Sequence, residues 1–263
     1  MTKQTYVKVN GVWKPCTSIW TKAGGVWKQD VMPLTRVGGV YKECMEYTPD
    51  PYAPINGNEF EWDGFTYKVI VKDYGDGVKL AWLDRNLGAS RVATSYNDSQ
   101  SYGDLYQWGR LTDGHEKRNS GNTSTLSSTD VPGHSNFILT DSSSPDWRVP
   151  QNDNLWQGTN GINNPCPPGW RLPTNTELDT ERQSWSTNNR DGAYASLLKL
   201  PTTGFYRQDG SVRNAGWTAN YWSSDVYGVM MGRSWNLRFT ANISSISYDM
   251  RGVGHPVRCI RDI

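Results

Sequence analysis

The sequence predicts an α+β fold with few short helices and long loops, preceded by a small all-β segment of repeated hairpins. Three observations carry this. Trp235, Leu237 and Phe239 alternate with Asn236, Arg238 and Thr240, the period of two that marks a half-buried strand. Thr174 followed three residues later by Glu177 is a capping box, which opens a helix over about 175–186. Gly11-Val12-Trp13-Lys14, Gly25-Val26-Trp27-Lys28 and Gly39-Val40-Tyr41-Lys42 recur at a spacing of 14 residues.

Composition bounds the rest. With 263 residues the chain is long enough for one large domain and an appendage. Its 27 basic and 26 acidic residues leave a net charge of +1, which argues against a nucleic-acid or anionic-membrane footprint. Aliphatic residues are sparse while Trp numbers 13 and Tyr 14, so the core must be aromatic. No apolar run is long enough to span a bilayer, and Met-Thr-Lys-Gln-Thr at the start has no apolar stretch of the signal-peptide kind. Four Cys are too few for a disulfide scaffold and lack the spacing of a metal site.

In chain order, residues 1–47 read as three strand–turn–strand units. Asn10-Gly11, Gly24-Gly25 and Gly38-Gly39 are pairs that tolerate positive φ in a tight hairpin. Single hairpins are marginal in water, so these must pack on one another or on other chains. Cys16 and Cys44 take equivalent places in the first and third units and read as buried free thiols. Such repeats resemble those of phage tail-fibre and other virion appendage proteins, where they serve attachment or trimerisation; the resemblance implies a homotrimer. Residues 48–57, with Pro49, Pro51, Pro54 and Asn56-Gly57, read as a linker. Glu59–Trp62 and Thr66–Val71 flank Asp63-Gly64 as a further hairpin, and Lys79–Leu83 is an apolar strand. Leu105 and Trp108 at helical spacing suggest a short helix or turn over 102–110. Residues 112–165 are polar and Gly-rich, long loops over a core or a partly mobile insertion, and His115 and His134 there read as solvated. Pro165, Pro167 and Pro168 exclude helix before Thr174, and Ala193–Leu200 suggests a second short helix.

Three separated motifs then agree in order. They are Trp82-Leu83-Asp84-Arg85-Asn86-Leu87-Gly88-Ala89, Cys166-Pro167-Pro168-Gly169-Trp170-Arg171-Leu172-Pro173-Thr174, and Tyr221-Trp222-Ser223-Ser224 with Val257-Arg258-Cys259-Ile260-Arg261-Asp262. Over about residues 58–263 they resemble the Fibrobacter succinogenes major paralogous domain family. That resemblance implies a C-type lectin and formylglycine-generating-enzyme-like domain, with a disulfide between Cys166 and Cys259. The family is similar in turn to the variable proteins of diversity-generating retroelements, among them phage receptor-binding proteins of the major-tropism-determinant kind. These display diversified side chains from a C-terminal variable region, which falls here on about 216–256.

On that resemblance Tyr221, Trp222, Trp235, Leu237, Phe239, Val257 and Cys259 are framework. The displayed ligand-binding candidates are Asp225, Tyr227, Val229, Met230, Arg233, Ser234, Asn236, Arg238, Thr240, Ser247, Tyr248, Asp249, Met250, Val253 and His255. The implied function is a virion tail-fibre receptor-binding protein, acting extracellularly on a host cell-surface protein or glycan, without nucleic acid or membrane insertion. The alternative is a bacterial surface adhesin or carbohydrate-binding module of fixed specificity. No catalytic residues are assigned. Both cysteines of the domain lie in framework motifs, the three His are separated, and Asp84 and Glu177 read as salt-bridge partners of Arg85 or Arg171. Trp235-Asn236-Leu237 lacks the carboxylate of a calcium-dependent sugar site. No cofactor is expected, although a structural calcium ion in the acidic loops stays open. Sugar stacking on Tyr227, Tyr248 or Trp217 without calcium also stays open.

Overall fold

A computed structural model describes residues 56–263 in full and, within 1–55, the backbone of six strands. The chain divides into two compact units, Met1–Ala53 and Pro54–Ile263. In the first, β1 (Tyr6–Val9) pairs with β2 (Val12–Pro15), β3 (Ile19–Ala23) with β4 (Val26–Asp30), and β5 (Leu34–Val37) with β6 (Val40–Glu43), all antiparallel. The closing pairs Val9↔Val12, Ala23↔Val26 and Val37↔Val40 fall at the same point of each unit, so the sequence repeat is a hairpin repeat. The turn pairs, Cys16, Cys44 and the linker up to residue 55 lie outside the described residues.

The second unit opens with β7 (Glu59–Trp62) and β8 (Phe65–Asp73). Asp63 and Gly64 between them both have positive φ, 49° and 78°, the geometry that lets a two-residue turn follow the strand twist. With β9 (Lys79–Leu83) and the last strand, these form a four-stranded antiparallel sheet. Short strands follow: β10 (Tyr106–Gln107), β11 (Asn122–Thr123), β12 (Phe137–Ile138), β13 (Phe205–Tyr206) and β14 (Val212–Arg213). Then come β15 (Ala219–Val226), β16 (Arg233–Phe239) and β17 (Ser244–Met250), a three-stranded antiparallel sheet. β18 (Gly254–His255) and β19 (Ile260–Asp262) end the chain. β10, β18, β13 and β14 pair in that order, and β19 lies beside β9.

Among the described residues there are two α-helices. α1 (Asn175–Gln183) begins at the expected capping box, with Thr174 accepting from Glu177 N–H and Glu177 reaching back to Thr174 N–H. α2 (Arg190–Ala195) starts earlier than the sequence suggested, because Asn189 accepts from the Asp191 and Gly192 amides and so sets its N-terminus. Of the short helix or turn expected over 102–110, the turn forms, at 108–109 directly after β10, and a 3-10 turn at Ser99–Ser101 precedes the segment. Gly103 and Gly109 bracket that segment at φ 68° and 80°, a backbone no helix accommodates.

The α+β class is therefore corrected. Strand accounts for 29% of residues and helix for 9%, and a curled antiparallel sheet dominates, which makes this a β-rich fold. The physical reason is the brevity of the helical signals. Nine- and six-residue helices cannot build a layer of their own, and each serves as a plug on sheet surface.

One core lies between the β7–β8–β9–β19 sheet and the β15–β17 sheet. It joins Leu80, Trp82 and Ile260 to Tyr221, Leu237 and Phe239, with Leu178 of α1 and Trp185 filling its side. The loops 105–165 cover the other face of the β15–β17 sheet, and indole N–H groups pin them there. Trp108 donates to Ser223 O at 2.9 Å, Trp147 to Trp108 O at 2.7 Å, and Trp222 to Tyr106 O at 2.8 Å. A buried indole needs an acceptor, and here the acceptors are loop and strand carbonyls, so satisfying each ring fixes a loop.

The resemblance motifs meet in space. Cys166 and Cys259 are joined by a disulfide with Cα atoms 5.9 Å apart. Arg171 exchanges backbone bonds with Ile260 and pairs with Glu177 at 2.6 Å and with Asp262. Burial alone would raise the Glu177 carboxyl. The Arg171 guanidinium and the Thr174 amide outweigh it and hold the carboxyl below its ordinary value. Among the described residues no helix is long and apolar enough to cross a membrane.

Candidate functional site

The register of the three-stranded sheet decides which of the C-terminal side chains face outward. Trp235↔Tyr248, Leu237↔Ile246 and Phe239↔Ser244 are directly opposed, so these six, with Arg233 and Met250, share one face. α1 packs against β16 and β17 on that face and buries its Leu237–Phe239 end. The other end, at the hairpin between β15 and β16, is left open.

A register shift between Trp222 and Val226 marks a bulge in β15. Beyond it Tyr227 swings onto the open end, its N–H donating to Arg233 O at 3.0 Å. There Tyr227 stacks on Tyr248 at 3.9 Å and 9°, and Trp235 stands edge-on to Tyr227 at 4.7 Å. The hairpin tip adds Val229, 81% exposed, Met230, 43% exposed, and Met231, 80% exposed; Tyr248 itself is 42% exposed. Aromatic, Met and aliphatic side chains held in the open on a rigid sheet have the composition of an interface core rather than of a solvated loop.

The expected ligand-binding residues divide by position. Tyr227, Val229, Met230, Arg233, Tyr248 and Met250 fall at this open end. Arg238 and Thr240 lie towards the opposite end of β16, and so does Trp217 relative to β15; an eight-residue strand separates them by roughly 25 Å. Ser247 points to the other face.

Four expectations are overturned by burial: Ser234, Asn236, Val253 and His255 are all buried. They lie on or beside the face that the loops cover. Arg251 Nε donates to Ser234 Oγ at 3.1 Å, and Arg251 stacks over the Trp108 ring at 4.3 Å. Asn236 shares its face with Trp222, and the His255 ring lies 4.4 Å from that indole. Asp249 serves structure. Its carboxylate meets His255 Nε2 at 3.2 Å and Met250 N–H at 2.8 Å. Burial would raise Asp249, but His255 and the Met250 amide hold it below the ordinary value. Asp225 is likewise taken up inside the fold: its Oδ2 accepts from Asn175 N–H at 2.6 Å, at the start of α1. Trp235, expected as framework, belongs to the exposed cluster instead. Its alternation pattern was visible in the sequence, but not the point along β16 where α1 stops covering the sheet.

His115 is wholly buried rather than solvated. Among the described residues, Asp113, His115 and Glu116 form the group whose ligand atoms lie close enough to hold a cation, within 4.8 Å of one another. The His115 and Asp113 ligand atoms are already engaged. His115 Nε2 accepts from Gln107 N–H at 3.1 Å, which places the ring proton on Nδ1, 2.7 Å from Asp113 Oδ1. Arg110 Nε binds the other Asp113 oxygen at 2.9 Å. Burial depresses the imidazole pKa and keeps the ring neutral. A guanidinium beside the triad disfavours a cation, and the three residues lock a loop. Asp84 is paired with Arg85 at 2.8 Å, and Glu177 with Arg171. The exposed aromatic end of the sheet is the strongest candidate site. No family model, no curated protein and no solved structure matches this chain.

Proposed function

We propose that the chain is a receptor-binding protein of a virion appendage, with the hairpin-repeat unit as its attachment segment. In this reading the open end of the β15–β17 sheet contacts a ligand on the host-cell surface. The observation that carries the reading is the Tyr227–Trp235–Tyr248 cluster with Val229, Met230 and Met231 exposed around it. A soluble chain keeps such side chains in the open at a cost in solubility that a binding role offsets. The order of the three motifs, and their resemblance to retroelement-diversified proteins, support a face whose displayed side chains vary while the sheet beneath stays fixed. On this structure the candidates narrow to Tyr227, Val229, Met230, Arg233, Tyr248 and Met250, and the exposed Met231 joins them; Asp225, Ser234, Asn236, Asp249, Val253 and His255 are buried or hydrogen-bonded, while Ser247, Arg238 and Thr240 lie on the other face or at the far end of the sheet.

Binding to host cells tests this. Met230→Asp reduces cell binding roughly tenfold or more with an unchanged melting temperature, Tyr248→Ala does so with a fall of a few degrees from the lost ring contacts, and Trp217→Ala leaves binding intact. Patch variants that bind like the unaltered chain overturn the proposal. A reverse transcriptase gene and an imperfect template copy of the 3′ coding segment beside the gene are expected, and their absence removes the diversification part.

A further inference from the structure

The three-stranded sheet ends on β17, which pairs with β16 alone. The hydrogen-bonding phase along it follows from bonds at the sheet margins. Trp222 N–H points away from β16 to Pro256 O, so Tyr221 rather than Trp222 bonds across, to Leu237. Asn236, Arg238 and Ser234 then face β17, bonding Ser247, Ser245 and Asp249, and Arg251 N–H extends the same phase to Gly232 O. Ile246 and Tyr248 are left with N–H and C=O directed outward, and none of the described residues meets them. Met250 N–H, next in that phase, is closed off by Asp249. Natural edge strands are usually blunted by Lys, Pro or a bulge. Ser244-Ser245-Ile246-Ser247-Tyr248-Asp249-Met250 contains neither residue, and its pairing with β16 is regular throughout.

A groove of about 410 Å³ lies alongside, lined by Asn175, Thr176, Asp179 and Arg182 of α1 and by Ser244, Ser245 and Ile246 of β17. Ser244, Ile246 and Tyr248 share one face, at steps of about 7 Å. The groove, the open backbone and the aromatic cluster are therefore successive stations along one edge.

We infer that this edge receives an extended polypeptide segment of the partner, which adds as a strand against Ile246 and Tyr248. One of its side chains lies on the Tyr248 cluster, and a hydrogen-bonding side chain further along enters the groove. An outward N–H and C=O repeating every second residue is complementary to another extended backbone, and alternate side-chain pockets then read its sequence. A glycan fits less well, because Tyr227 and Tyr248 stack face to face and cover part of the ring surface that a sugar would use. A second copy of this chain fits less well too. Antiparallel pairing about Ser247 would lay the apolar Met250 of one copy against Ser244 of the other, beside the Asp179 and Arg182 charges of the groove. The inference rests on the receptor-binding reading for the choice of face, and narrows its ligand from protein or glycan to protein.

The test selects binders to the full chain from a displayed library of random linear peptides, with a glycan array in parallel. Tyr248→Thr removes the ring and keeps the amide; Tyr248→Pro also removes the outward N–H while sparing the bonds to β16. Enriched peptides should bind the Pro variant roughly tenfold more weakly than the Thr variant. In the unaltered chain, amide exchange at Ile246 and Tyr248 should slow when such a peptide is added, a readout independent of whether either variant folds. Several outcomes overturn the inference: no peptide enriched, glycan binding alone, unchanged exchange at both amides, or a concentration-dependent dimer abolished by Tyr248→Pro. Host-cell binding separates this inference from the reading it rests on. If Met230→Asp abolishes cell binding while the Pro and Thr variants behave alike on cells, the face stands and strand pairing fails. If Met230→Asp leaves cell binding intact, the receptor face fails whatever the peptides show.

Discussion

Replacing Asp225 by Ala separates the side chains that can vary from those that hold the fold. Asp225 lies in the segment that resembles a variable region, yet its carboxylate accepts from Asn175 N–H at 2.6 Å. The capping box satisfies Glu177 N–H and Thr174 N–H, so the first amide of α1 depends on Asp225. Losing a helix-terminal acceptor costs about 0.5–2 kcal/mol, and losing the negative charge beside the helix N-terminus adds about 0.3–1 kcal/mol. A total of about 1–3 kcal/mol corresponds to a fall in melting temperature of roughly 2–12 °C for a unit of this size. Val229→Ser and Met231→Ser, at side chains about four-fifths exposed, should each stay within about 0.5 kcal/mol. Thermal and urea unfolding of the three variants, followed by circular dichroism, measures this directly. If Asp225→Ala proves as silent as Met231→Ser, hydrogen bonding to α1 does not separate frame from display, and the narrowed set of variable positions is wrong.

Two further predictions follow from the buried groups. Burial raises Asp104 from its ordinary 3.8 to about 6, against the opposing pull of Lys117 at 2.8 Å. A carboxyl with a raised folded pKa contributes stability that is fully present below the unfolded value and is lost as pH rises through about 6. His115, kept neutral by burial, acts in the opposite sense as pH falls below its ordinary value. The Asp104 contribution is therefore isolated by difference. The stability advantage of the unaltered chain over Asp104→Asn should grow by on the order of 2–3 kcal/mol between pH 7.5 and pH 4.5; a constant difference in urea midpoints refutes it. Replacing both Cys166 and Cys259 by Ala, which opens a bridge spanning a sequence separation of 93, should lower stability by about 2–4 kcal/mol in denaturant titration. A loss below about 1 kcal/mol would show that the Arg171 contacts hold these motifs together without the bridge.

Local signals were legible wherever a few adjacent residues decide the outcome. The capping box at Thr174 and Glu177 placed the start of α1, Asp63-Gly64 placed the turn between β7 and β8, and the 14-residue spacing marked the hairpin units. At Leu105 and Trp108 the spacing fitted a helix or a turn, and the turn forms because the glycines on either side adopt positive φ. The class assignment failed for a related reason: short helices carry clear start signals whatever share of the chain they occupy. In the candidate site, alternation along β16 separated its two faces, but the expected displayed residues were drawn from both, and Ser234 and Asn236 fall where the Trp-anchored loops cover the sheet.

The order of side chains along each strand, the caps and the tight turns belong to the sequence itself, since they depend on covalent geometry and on neighbours a few residues apart. Tertiary structure alone decided what covers each surface. Trp108 donating to Ser223 O across a separation of 115 residues, α1 stopping short of Trp235, and the bulge that turns Tyr227 onto Tyr248 are contacts that no local window of sequence contains. Exposure is set by what lies above a residue, and no local pattern records which distant loop will lie there.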